Sequence, residues 1–248
     1  MSINDFLISM ANDITNNNLD LTDEDFYYML KYLGIKKDVS LAQDIEIFYQ
    51  DFLNSLNNSL IRYSKRDQKF GENITHHIAF YADEKADYLE AVKVYFPVKY
   101  EYLIGSLKTV FLYLIRNNIK ASVKFYVKAT NEAIVIRFYD KNEVVPFINY
   151  CNNSFALNEL LEPLNPFIVD KFGIGMVSDD NTVDTYMGTL SKLLQEYFVL
   201  MKKTGTLLQV SDEDFLDFVI KRFNIEENNE VKFNINSVLN SLKVILNK

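Results

Sequence analysis

An α+β protein is predicted from three features of the chain: period-two strands between Val92 and Asp140, an amphipathic helix among them, and long helical stripes toward both ends. In VKVYFPV, Val92, Val94 and Phe96 alternate with Lys93 and Tyr95, the pattern of a half-buried strand. EYLIGSLKTVFLYLIRNN then spaces Leu103, Leu107, Val110, Phe111 and Leu114 as one helical stripe, ending at Asn117 and Asn118. SVKFYVK places Val123, Phe125 and Val127 on one strand face and Lys124, Tyr126 and Lys128 on the other, and AIVIRFYD follows after Thr130 and Asn131.

Before this block, Thr22 and Asp25 have the spacing of a capping box, predicting a helix through DEDFYYMLKYLG to Gly34. A longer helix is expected from Ser40 to about Ser64, with Ile45, Phe48, Phe52, Leu56 and Leu60 as its apolar stripe. The basic run from Arg62 to Lys69 reads as a solvated helix end and loop, or as a patch that docks a peptide or phosphate. NITHHIAF (73–80) is expected to be an edge strand, and ADEKADYLE a polar connection.

After Asp140, KNEVVPFINYC reads as a loop and short helix interrupted by Pro146, and a further helix is expected over Phe155 to Leu161. Asn165 to Asp180 is a strand or extended loop, and Tyr186 to Met201 a long amphipathic helix. Ser211 and Asp214 form another capping box, opening a helix to about Phe223, and a last helix covers Asn236 to Leu246. The resulting architecture is a small mixed β-sheet flanked by helices. A helical N-terminal lobe covers 1–69 and an α+β region 70–248, as two parts or as one continuous domain.

Composition narrows the function. A 48% hydrophobic content over 248 residues is ample for a core. The net charge of −8 argues against a general nucleic-acid binder. There is no apolar run of membrane-spanning length, and Met1 to Met10 lacks a secretory signal pattern, so a cytoplasmic protein without membrane association is expected. The lone Cys151 excludes a disulfide framework and a multi-cysteine metal site, and reads as an ordinary thiol. GIGMVSDD lacks the spacing and lysine of a nucleotide loop, and DEDFLD lacks calcium-loop spacing, so no metal or cofactor is expected.

The order of VKVYFPV, the helix, the Lys124 strand, AIVIRFYD, NPF (Asn165 to Phe167), GIGMVSDD (Gly173 to Asp180) and YMG (Tyr186 to Gly188) resembles the HopA-type effectors of type III secretion. Relatives of that family are lyases in ribosomal peptide biosynthesis, lanthipeptides included. The strand-helix-strand part is also similar to the phosphothreonine lyases. The resemblance implies β-elimination of phosphate from a phosphorylated peptide or protein, leaving a dehydroamino acid, with a separate kinase installing the phosphate. It implies for Lys124 the role of base, with Lys128 as the neighbouring charge that lowers its pKa. Lys93 stands on the strand where the lyases carry a general-acid histidine and would hold phosphate or stabilise developing negative charge, with Lys128, Tyr95, Tyr126 and Arg137 as further candidates for binding the substrate. His76 or His77 could substitute as acid, only one of them on the shared face. Thr130 and Ser191 stand where the family places arginines, which leaves a second reading, a catalytically reduced adaptor or secreted effector that binds a peptide or protein.

Overall fold

Alternating apolar residues between Ala91 and Phe138 need one covered face, and the computed structural model supplies it with helices. It describes residues 1–31, 33, 41–70, 73–81, 91–96, 98–128, 133–154, 165–171, 174–179, 185–226 and 235–247. The elements are α1 (Ile3–Asn17), α2 (Asp23–Lys31), α3 (Ala42–Asn57), β1 (Tyr63–Phe70), β2 (Asn73–Phe80), β3 (Ala91–Phe96), α4 (Leu103–Arg116), β4 (Ala121–Tyr126), β5 (Ile134–Phe138), α5 (Val144–Ser154), β6 (Val169–Lys171), β7 (Ile174–Asp179), α6 (Tyr186–Thr204), α7 (Asp212–Glu226) and α8 (Ile235–Ile245). The α+β class follows directly, the described strands forming one sheet in the order β1-β2-β4-β5-β3-β7-β6. The pairings of β1 with β2, β2 with β4, β4 with β5 and β5 with β3 are antiparallel.

Two compact units emerge. One comprises residues 32–164 and 170–178, and therefore α3 to α5 and nearly all of the sheet. The other joins 1–31 and 165–169 to 179–248, and is helical. In this grouping α3 packs on the sheet, while α1 and α2 pack with the C-terminal helices.

In the sheet unit, Leu103, Leu107, Val110, Phe111 and Leu114 of α4 are buried with Val94, Phe96, Val123, Phe125, Ile134 and Ile136, so the predicted helix covers the predicted apolar face. Phe111 is central, its ring lying 4.4 Å from that of Phe52, 5.6 Å from Phe80 and 6.2 Å from Phe125. Ile45, Tyr49, Leu53 and Leu56 of α3 close the same core.

Four sequence expectations are corrected here. The second helix ends at Asn57, leaving Leu60 fully exposed, and the basic run is strand β1 rather than a loop. An edge strand with charges on both faces gives no apolar alternation to read, and such charges guard the edge against pairing with other chains. β2 is interior, held between β1 and β4. Pro146 does not interrupt α5, because it lies in the first turn, where its missing N–H would have no intrahelical partner. α1, not anticipated, starts with a capping box in which Asp5 N donates to Ser2 Oγ (3.1 Å) and Ser2 N to Asp5 Oδ2 (2.9 Å). The helix expected over 155–161 lies outside the described residues.

The helical unit brings together NPF and YMG, two of the motifs that carry the resemblance. Phe167 N donates to Asn165 Oδ1 at 3.0 Å, closing a turn, and the Tyr186 hydroxyl donates to the Phe167 carbonyl, tying NPF to the start of α6. Phe167 meets Phe6 edge-on at 5.4 Å and Phe215 at 5.9 Å. Thr22 with Asp25 forms the expected capping box of α2, whereas at α7 Asp214 N donates to Ser211 Oγ (3.1 Å) and that hydroxyl, rather than the Ser211 backbone, donates to Asp214 Oδ2 (2.8 Å).

Leu107→Ala, which empties a wholly buried site, should cost about 2–5 kcal/mol in urea unfolding. Cys151 is fully buried and its thiol is pushed up to about 12 by desolvation. A chromogenic thiol reagent should therefore not react with the native chain and should titrate one thiol once denaturant unfolds it.

Candidate functional site

Residues directly opposite one another in antiparallel strands share a face, so register alone assembles the candidate site. Lys124 on β4 lies opposite Val135 on β5, and Val135 opposite Tyr95 on β3. One step along, Ser122 lies opposite Arg137 and Arg137 opposite Lys93. On the other side of β4, Lys124 pairs with His77, and His77 with Arg66 of β1. Lys93, Lys124, Arg137, Arg66, His77, Tyr95 and Tyr126 thus stand on one face, opposite the face that α3 and α4 cover. None of the paired residues of β1 to β5 on this face is acidic.

Lys93 and Lys124 are separated by one intervening strand and one two-residue step, roughly 12 Å between Cα atoms. Arg137 sits on that intervening strand, directly opposite Lys93 and diagonal to Lys124. It is half-buried and its Nε is shielded from solvent. The Lys124 ammonium lies 4.8 Å from the centre of the Tyr126 ring, a cation–π contact that holds the lysine over the strand. Tyr126 is completely buried and Tyr95 nearly so, which makes both a floor under the cations. Lys128 lies two residues beyond the end of β4, where the pleat no longer dictates its face.

His77 was only weakly marked by the sequence. Its Nε2 is buried without a hydrogen-bond partner among the described residues, as is Oγ1 of Thr75, its neighbour but one on the same face. Burial, then the charges of Lys124 and Arg66, push the imidazole pKa down from 6.5 to about 4, against the pull of Asp67. His77 is therefore neutral near pH 7, a proton acceptor or hydrogen-bond partner set among cations. Its sequence neighbour has the opposite environment. His76 points to the helix-covered face, with Nδ1 2.9 Å from Asp67 Oδ1, Nε2 3.0 Å from Glu46 Oε1, and its ring stacked on Tyr49 at 3.9 Å. Each ring nitrogen of His76 thus faces one carboxylate. Tyr49 also donates to Asp67 at 2.8 Å, and although burial raises the Asp67 carboxyl, the bonds from His76 and Tyr49 outweigh it and lower its pKa. His76 pins α3 to β1 and β2, and His77 belongs to the cationic face.

Thr130 lies outside the described residues, as does Gly173. Ser191 is buried in α6, its hydroxyl donating to the Met187 carbonyl at 2.8 Å, so it serves helix packing. Among the described residues no helix is long and apolar enough to cross a membrane, and no cluster of three or more His, Cys, Asp or Glu side chains suits a metal ion.

Because His77 gains its proton near 6.5 in the unfolded chain but near 4 in the folded one, the unfolded state binds more protons between those values. Its contribution to stability therefore falls as pH drops through that window. In His77→Gln that loss should vanish, so that from neutral pH to pH 4 wild type loses up to about 3 kcal/mol more than the variant in urea unfolding.

Comparison with protein-family models and with curated sequences gives no match. In structure the chain is similar to the effector protein from Pseudomonas syringae pv. syringae strain 61, with a TM-score of 0.58 over 87% of this chain and 91% of that chain, at 10% identity. At that identity the likeness is one of fold, and the α+β arrangement that carries the cationic sheet face is thus one that a bacterial effector also has.

Proposed function

We propose that the cationic sheet face binds the phosphate of a phosphorylated serine or threonine in a peptide or protein, and eliminates it. The observation that carries this reading is the shared face of Lys93, Lys124 and Arg137, with the neutral His77 beside Lys124. Lys93 and Arg137, directly opposed, both favour a dianion placed between them. With its ammonium proton first given up to solvent, the neutral Lys124 amine takes the Cα proton, the electron pair forms the Cα=Cβ bond, and the Cβ–O bond breaks with phosphate as the leaving group. Tyr126 fixes the direction of the lysine. A separate kinase supplies the phosphate, and no cofactor is required. The fold shared with a Pseudomonas syringae effector supports a role in which the phosphorylated substrate belongs to another cell.

A second reading, binding without elimination, is favoured by Ser191, whose buried hydroxyl cannot supply the charge of the expected arginine. Mass spectrometry of a phosphothreonine peptide incubated with the chain separates the two. Elimination appears as loss of phosphoric acid, and Lys124→Ala should abolish it. Lys93→Ala should weaken phosphopeptide binding and slow the reaction by about 10- to 1,000-fold, since Arg137 remains. Phosphopeptide binding with no mass loss would leave the second reading standing.

A further inference from the structure

The face of the helical layer turned away from the sheet carries a second site. α3 has more apolar surface than the core consumes. Ile45, Tyr49, Leu53 and Leu56 face the sheet, yet Ile47, Phe48 and Phe52 line an open groove against Ile104, Phe111 and Leu112 of α4. The groove has a volume of about 600 Å³. Its lining runs from Asp44 to Ser55 on α3 and from Ile104 to Ile115 on α4, three turns of each helix or about 16 Å. The floor is aromatic, with the Phe52 and Phe111 rings stacked at 4.4 Å and 13° and Phe48 parallel to Phe111 at 6.4 Å. Ile47 and Leu112 are about half exposed at its lips, 52% and 48%.

The walls are charged unequally. Asp44 and Asp51, two turns apart on the α3 side, make no ion pair among the described residues. The α4 side carries Lys108, whose ammonium lies 5.7 Å from the centre of the Phe48 ring. We propose that this groove receives an amphipathic helical segment of a protein partner, its apolar face on the phenylalanine floor and a row of lysines or arginines along the edge that lies against α3. The length of three turns and the two helical walls suit a helix laid in a groove. The spacing of Asp44 and Asp51, about 10.5 Å along the axis, matches basic residues at i and i+7 of the guest. The site is independent of the phosphate reading, since the sheet separates it from Lys124.

The test uses the full chain and two synthetic, fluorescently labelled helical peptides about five turns long, with the same leucine face and either lysines or glutamates along one edge. Fluorescence anisotropy should show the lysine-edged peptide binding at least about 10-fold more tightly, and D44K/D51K should reverse that order. Leu112→Glu, at an exposed position, should abolish binding of both while leaving the unfolding midpoint unchanged. The proposal is overturned if neither peptide binds, if both bind equally, or if binding survives Leu112→Glu. It is also overturned if the chain alone forms a dimer that Leu112→Glu dissolves, because a second copy is then the occupant.

Discussion

The cross-strand register of β2, β4, β5 and β3 is the constraint from which the rest follows. Side chains alternate between faces along each strand, so a pairing that sends Val123, Phe125, Ile134, Ile136, Val94 and Phe96 to the helices must send Lys124, Arg137 and Lys93 to the other side. The hydrophobic core and the cationic face are two readings of one hydrogen-bond ladder. A slip of one residue in any of these strands would bury a charge under α4 and expose an aliphatic side chain, and burial of an unpaired charge is strongly disfavoured. The energy that fixes the register comes from the apolar face, and the polar face inherits its order.

That inheritance explains what was legible in the sequence. The helix over 103–116, the three strands beside it and the shared face of Lys93 and Lys124 could be read because period 2 and period 3.6 are written in apolar residues. β1 could not be read, because as an edge strand it owes its place to hydrogen bonds and one buried contact set, Asp67 with His76 and Tyr49, rather than to alternation. Nor could the roles of His76 and His77 be assigned. The sequence says that they face opposite ways, but which of them meets the lysine depends on β2 pairing with β4, a contact between strands that are not consecutive. Ser191 was similarly opaque, since a buried hydroxyl bonded within its own helix leaves no local signature.

The mismatch on α3 is informative in its own right. A single stripe through Ile45, Phe48, Phe52 and Leu56 was the simplest helical reading, and the structure instead rotates the helix to bury Tyr49 and Leu53. Tyr49 takes precedence because its hydroxyl reaches Asp67 while its ring stacks on His76, so that the polar end of a buried side chain is satisfied. Phe48 and Phe52 are thereby displaced toward Phe111 and Lys108 and remain partly open to water. One hydrogen-bonded tyrosine thus decides where the aromatic surplus of this helix lies.

The division of the chain into a nearly continuous sheet unit and a helical unit assembled from both ends bears on the order in which the molecule can be made. During synthesis α1 and α2 emerge first, but α6 to α8, which bury Phe6, Phe26 and Leu30, emerge only after residues 32–164 have been translated. At the end of that interval the sheet unit has nearly all of its own partners, while α1 and α2 still have few of theirs. Two amphipathic helices therefore precede the sheet unit with their apolar stripes uncovered, and any factor that meets this protein at the ribosome meets those stripes before the cationic face exists.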